Sequence, residues 1–147
     1  MKTLFIFTFI LFSTIYGKSY TNFSGKVTYR GSHVLHSWIG ESTEVIGFIE
    51  YENKYNGFSC DIKIPIESFD SKNANRDSNM LIYTNAIDHP NIQFKSDDLE
   101  ISSTKAKVNG ILSFGGESKN ISVVLDVITG KDISFSGSFI IRLSDYK

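Results

Sequence analysis

The decapeptide GFSCDIKIPI, residues 57–66, alternates apolar and polar residues with a period of two. Successive side chains of an extended strand point to opposite faces of its sheet. Phe58, Cys60 and Ile62 therefore share one face, and the polar residues between them share the other. This pattern predicts an antiparallel strand that is buried on one side and solvated on the other.

The same alternation recurs along much of the chain. It is found in residues 23–30, 32–52, 107–115, 120–128 and 132–144, with turn signals at residues 54–57, 115–116 and 130–131. Each run has one apolar face, which must be covered by another part of the sheet. The sequence thus predicts one all-β domain, an antiparallel barrel or sandwich of about eight strands.

The first seventeen residues, MKTLFIFTFILFSTIYG, have the layout of a secretory signal peptide: a lysine, an apolar block and a small residue at the end. The block is too short to cross a membrane as a helix. The alternative is a buried N-terminal strand. We predict a signal peptide over residues 1–17 and a mature domain over residues 18–147, located in the periplasm or secreted.

Composition argues against several classes of function. The 15 basic residues nearly balance the 16 acidic ones, so no electrostatic footprint for nucleic acid is visible. A single cysteine excludes a disulfide framework. His33 and His36 would point to opposite faces of one strand, and no catalytic motif is present. We expect no metal, no cofactor and no enzymatic activity.

Residues 71–96, SKNANRDSNMLIYTNAIDHPNIQFKS, interrupt the strands with a polar segment and helical spacing. Together with GILSFGGESKNISVVLDV at 110–127 and FIIRLSDYK at 139–147, they resemble the YceI-like family of bacterial exported proteins. Arg76-Asp77, Pro90 and the triplet at 94–96 carry the match most closely. Two departures stand out: Gly115 replaces a histidine of the family pattern, and the chain stops at Lys147, before the family's final strand.

The resemblance implies a lipocalin-like barrel of eight strands with a short helix near one end and an internal pocket for a polyisoprenoid or similar lipid. Arg76 and Asp77 are expected to form a structural pair at that end, while Met80, Leu81 and Tyr83 face the interior. The implied function is lipid binding by an exported carrier or storage protein, without stable membrane insertion. Loss of the final strand would leave an unpaired edge, which a second copy could cover in a homodimer.

The inward strand positions give the predicted lining of the pocket. They are Val27, Tyr29, Ile49, Tyr51, Phe58, Cys60, Ile62, Phe94, Leu112, Phe114, Val123, Leu125, Phe135 and Phe139. The pattern leaves open whether these residues surround a ligand or fill the barrel themselves. A small outer-membrane β-barrel and an exported enzyme of unknown reaction remain the alternatives.

Overall fold

A computed structural model describes residues 3–11, 24–33, 35–53, 56–130 and 133–146. These residues form antiparallel strands, one α-helix and two short 3₁₀ helices. The strands are β1 (Thr3–Leu11), β2 (Ser24–His33), β3 (His36–Ser42), β4 (Ile46–Asn53), β5 (Asn56–Pro65), β6 (Asn91–Ile101), β7 (Lys105–Phe114), β8 (Glu117–Thr129) and β9 (Ile133–Ile141). Helix α1 spans Ala74–Tyr83, and the 3₁₀ helices span Ile66–Ser68 and Leu143–Tyr146. The predicted all-β class with one short helix is confirmed.

The strands form a single sheet in the order β3-β2-β1-β9-β8-β7-β6-β5-β4. Val27 and Tyr29 of β2 belong to the same core cluster as Cys60 and Ile62 of β5. Strands β2 and β5 lie near opposite ends of the strand order. The sheet therefore curls around one interior, as a lipocalin-like barrel does. Its two outer strands, β3 and β4, are not paired with each other in the described part of the chain.

Strand β1 lies within the segment predicted to be a signal peptide. It pairs with β2 on one side and β9 on the other. The expected unpaired edge beside β9 is therefore occupied in this chain, and the eight remaining strands match the expected number. Removal of residues 1–17 during export stays a prediction, and so does a homodimer.

The prediction of one continuous strand over residues 32–52 is wrong, because two turns divide this range. A turn at Leu35 and the β2–β3 hairpin around it make His33 and His36 partners across the two strands. At the second turn, the buried Ser42 hydroxyl accepts a hydrogen bond from the Glu44 N–H at 3.1 Å. Neither turn contains glycine or proline, so the two strongest turn signals are missing.

The predicted alternation of faces is confirmed in β5 and β8. Ile62 and Ile64 are buried, and in β8 Val123 is buried between exposed neighbours that include Ser122. Each fully buried aliphatic side chain contributes about 1.5–3 kcal/mol relative to an exposed one. The shared apolar face therefore holds the strands in this register.

Helix α1 has defined signals at both ends. The Asn73 side chain caps the first turn by accepting a hydrogen bond from the Arg76 N–H at 3.0 Å. At the other end, Thr84 Oγ1 donates to the Met80 carbonyl, and Asn85 takes a left-handed conformation with φ of 53°. In the described part of the chain, no helix is both long and apolar enough to span a membrane.

Candidate functional site

A cavity of about 380 Å³ lies between α1 and the inner face of the sheet. Helix α1 and its ends supply Asn73, Asn75, Arg76, Asn79, Met80, Tyr83 and Thr84, and the barrel supplies Tyr29, Gly31, Trp38, Ile66, Phe69, Ile92, Phe114 and Leu143. The barrel side is almost entirely apolar, whereas the helix side carries most of the polar groups. This division suits an amphiphile better than a fully polar ligand.

The β2–β3 hairpin shapes one wall of this cavity with two aromatic rings laid over glycines. Gly31 is paired with Trp38, and a Cβ added at Gly31 would lie 2.5 Å from the indole ring. Gly40 is paired with Tyr29 in the same way, with the phenol ring over it. The absence of side chains at both glycines lets the rings lie close to the backbone. The wall is therefore aromatic and fixed by neighbouring strands.

Arg76 and Asp77 lie at the expected end of the barrel, but the prediction that they pair with each other is wrong. Both bind Ser71 instead. The Arg76 Nη1 donates to the Ser71 carbonyl at 3.1 Å and to its hydroxyl at 3.3 Å, while the Asp77 carboxylate accepts from the Ser71 N–H at 3.2 Å. Adjacent helical residues do not face each other, which is why the two charges reach a third residue.

The guanidinium of Arg76 also stacks on Trp38, with its central carbon 5.0 Å from the ring centroid. The indole Nε1 of Trp38 is buried and makes no hydrogen bond of acceptable geometry with the described residues. It is nevertheless near the Tyr29 hydroxyl. Burial raises the pKa of Tyr29, and the proximity of Trp38 lowers that pKa by a smaller amount. The cavity thus presents a cation from α1 beside an aromatic ring from β3.

The predicted lining residues fall into several groups. Tyr29 and Phe114 line the cavity. The others lie in the core or around it: Val27, Cys60, Ile62 and Leu112 are buried in the main cluster, Ile49, Phe58, Phe94 and Phe139 pack against it, Val123 is buried outside it, and Leu125 and Phe135 are half-buried. The side chain of Tyr51 lies outside the described residues.

Sequence reasoning missed most of the barrel side of the cavity, including Trp38, Phe69, Ile92 and Leu143. One signal was available. Trp38 is the chain's single tryptophan, and a glycine, Gly31, lies opposite it on the neighbouring strand. A large ring paired with a glycine often marks a site where the ring lies flat against the sheet.

The predicted inward face of α1 is confirmed for two of its three residues. Met80 and Leu81 pack against the core. Tyr83 contributes to the cavity but is 63% exposed, so it lies at the opening rather than inside. The helix therefore covers the cavity incompletely.

Cys60 lies at a second, more open groove of about 710 Å³, away from α1. This groove follows a register shift in β6 between Lys95 and Asp98. Burial raises the pKa of the Cys60 thiol to about 12. Since the thiolate is the reactive form, Cys60 behaves as a small apolar core residue at neutral pH.

Metal ligands do not gather in the described part of the chain, where no group of three or more His, Cys, Asp and Glu side chains could hold an ion. Gly115, where the resemblance places a histidine in the family pattern, lies in the turn between β7 and β8. A Cβ there would come within 2.8 Å of the Tyr146 carbonyl oxygen. The turn is packed tightly against the C-terminal 3₁₀ helix.

A curled antiparallel sheet with a helix over an apolar cavity at one end defines a lipocalin-like protein. The chain belongs to the YceI-like domain family, whose model matches residues 12–147. No curated protein sequence matches it significantly.

Two solved structures illustrate the likeness. The first is BcnA of Burkholderia cenocepacia, with a TM-score of 0.71 and 20% sequence identity over 82% of this chain and 79% of that chain. At that identity the match shows the fold alone. The second is the YCEI protein of Campylobacter jejuni, with a TM-score of 0.61 and 27% identity over 79% of this chain and 77% of that chain.

Proposed function

We propose that this protein binds a long-chain lipid, either a polyisoprenoid or another long amphiphile, and carries or stores it without catalysis. The observation that carries the proposal is the 380 Å³ cavity with an apolar barrel side beneath α1. Its volume lies within the usual range of about 300–1,000 Å³ for small-molecule sites. Membership of the YceI-like family supports the same conclusion.

Burial of the lipid's apolar chain would provide the affinity. Each CH₂ group removed from water contributes about 0.8 kcal/mol, so a dozen contribute on the order of 10 kcal/mol. Part of this is lost because binding costs about 4–15 kcal/mol in translational and rotational freedom. A chain of this length can therefore reach useful affinity, with polar contacts adding to it.

The residues around the cavity favour binding over chemistry. Among the described residues that line it there is no aspartate, glutamate, histidine or cysteine. These are the usual general acids, bases and nucleophiles.

The outer surface favours a protein that faces water over the outer-membrane alternative. Ion pairs on the outward faces of the strands, Lys26 with Glu41 and Lys105 with Asp126, have both partners exposed. The outward face of a membrane barrel is apolar instead.

Export to the periplasm or the medium is part of this proposal, and it rests on the pattern of the first seventeen residues. N-terminal sequencing of the exported protein should give a start within a few residues of Lys18. Recovery of soluble cytoplasmic protein that still carries Met1 would contradict export.

The proposal can be tested by closing the cavity at its opening. Asn79 is exposed and lines the cavity, so Asn79→Phe should obstruct the entry without disturbing the core. We expect organic extracts of the purified native protein to contain a lipid by mass spectrometry. Extracts of the variant should contain at least about tenfold less, a loss equivalent to 1.4 kcal/mol.

Ser78→Phe is the matched control. Ser78 is the preceding exposed residue of α1 and does not line the cavity, so its variant should retain the lipid of the wild type. Thermal melts should confirm that both variants are folded. A wild-type protein that yields no lipid and binds no added amphiphile, or equal lipid content in the two variants, would refute binding at this cavity.

A further inference from the structure

The polar end of the cavity indicates which kind of headgroup the ligand has. Arg76 is the one formally charged side chain among the described residues that line the cavity. A guanidinium has five N–H donors in a planar fork. The two hydrogen bonds to Ser71 both come from Nη1, and no carboxylate of the described residues lies within ion-pairing distance. Arg76 is thus held in place with donors left for a ligand.

The neighbouring polar side chains of the cavity include three asparagines, whose amides can donate as well as accept hydrogen bonds. The Trp38 Nε1–H is buried beside the Tyr29 hydroxyl, so Trp38 presents its ring and not this donor to the cavity. The Asn73 side-chain oxygen is used by the helix cap, which leaves its NH₂ group as the available donor. The charge of Arg76 therefore decides the preference, which is for an anionic headgroup that accepts hydrogen bonds.

Asp77, the nearest negative charge in the sequence, acts on the cavity through Tyr29, whose pKa is raised by burial and further by this charge. Its carboxylate is bound to the Ser71 N–H and is not part of the cavity lining. The Arg76 guanidinium is instead stacked on the Trp38 ring. A planar guanidinium in that position can bind a carboxylate with two parallel hydrogen bonds.

The size of the cavity limits the apolar part of the ligand. An apolar cavity of about 150 Å³ is enough for benzene, which has six carbons. By the same scale, a cavity of 380 Å³ holds roughly fifteen carbons. The core residues Val27, Ile64 and Leu112 are at most 1% exposed and leave the adjoining interior filled by the protein itself. A polyisoprenoid much longer than this would not fit as a whole.

From these observations we infer that the ligand is a single-chain fatty acid of about twelve to sixteen carbons, with its carboxylate bound by Arg76 at the opening beneath α1. The inference rests on the proposed lipid-binding function and specifies the class of lipid. It predicts two selectivities, one for the acidic headgroup and one for chain length.

Trp38 offers a direct readout, because it is the single tryptophan of the chain and lies in the site. Its fluorescence would be titrated with saturated fatty acids of eight to twenty carbons and with primary alcohols of the same lengths, below their micellar concentrations. We expect wild-type protein to bind the acid at least about tenfold more tightly than the matching alcohol. Affinity should rise with length and fall beyond about sixteen carbons.

Arg76→Gln should remove the preference for the acid over the matching alcohol, whereas Arg76→Lys should keep much of that preference. Arg30→Gln, at an exposed position of β2 outside the cavity, is the control for net charge and should behave as wild type. If Arg76→Gln fails to fold, the comparison of acids with alcohols in the wild type still decides the question.

The outcomes separate the inference from the function on which it rests. Equal affinities for acids and alcohols in the wild type, or a preference that survives in folded Arg76→Gln, would overturn the headgroup assignment and leave lipid binding standing. Undiminished affinity for twenty-carbon chains would overturn the length limit. No response to any amphiphile would refute lipid binding itself.

Discussion

Gly47→Ala is expected to destabilise the protein by more than about 3 kcal/mol. Gly47 has φ of 131°, a conformation in which non-glycine residues are strained by about 1–3 kcal/mol. It is also paired with Ile62 across β4 and β5, and an added Cβ would overlap the backbone carbonyl of Asp61. Because that obstacle is main chain, relief of the overlap would require the strands to separate.

Urea unfolding would measure this loss as a lower transition midpoint at an unchanged slope. Since domains of this size are stable by only about 5–15 kcal/mol, the variant would lose a large share of its stability. Gly25→Ala is the matched control. The nearest atoms to a Cβ at Gly25 belong to the Val45 side chain, the closest at 2.9 Å, and a side chain can move where main chain cannot, so the cost should stay within about 1–3 kcal/mol. Equal costs for the two variants would contradict the role of Gly47.

The inward and outward faces of the strands could be predicted from the sequence, because alternating apolar and polar residues correspond to alternating buried and exposed positions. Ile62 and Val123 are buried, and Ser122 is exposed, as the period of two requires. The short helix that carries Arg76 and Asp77 was also predicted, in this case from the resemblance to the family.

The position of the cavity could not be predicted in this way. Alternation tells which face of a strand is inward, but not at which level along the barrel the side chains leave a space. Val27 and Leu112 were predicted to line the pocket, and they are instead fully packed core residues. The cavity lies at the end of the barrel, where Met80 of α1 and Leu143 of the last 3₁₀ helix close it. These contacts join segments far apart in sequence.

The helix itself illustrates a second limit of sequence reasoning. Arg76 and Asp77 have opposite charges and adjacent positions, which made an ion pair between them plausible from the sequence. The chain before α1 instead brings the buried Ser71 within reach of both side chains. The geometry of that turn depends on local features such as the left-handed conformation of Lys72, with φ of 61°, which no simple sequence pattern predicts.

A double-mutant cycle at Gly31 and Trp38 is expected to give a strongly non-additive result. Gly31→Ala alone should cost about 1–3 kcal/mol, because its Cβ would lie 2.5 Å from the indole ring and force Trp38 away from the sheet. In a Trp38→Ala background the obstacle is gone. In that background, Gly31→Ala should be neutral or stabilise the protein by about 0.5–1 kcal/mol, because alanine loses less conformational entropy on folding than glycine does.

Urea unfolding of the wild type, both single variants and the double variant would give the coupling free energy between the two sites. Gly31 and Trp38 both line the cavity, so the indole ring that is displaced in Gly31→Ala lies beside the cavity. That variant should therefore also bind amphiphiles at least about tenfold more weakly, a change of 1.4 kcal/mol. Costs that add within about 0.5 kcal/mol would show that the two residues are independent. In that case the aromatic wall of the cavity would not depend on the glycine behind it, and the close contact between ring and backbone would have no part in shaping the site.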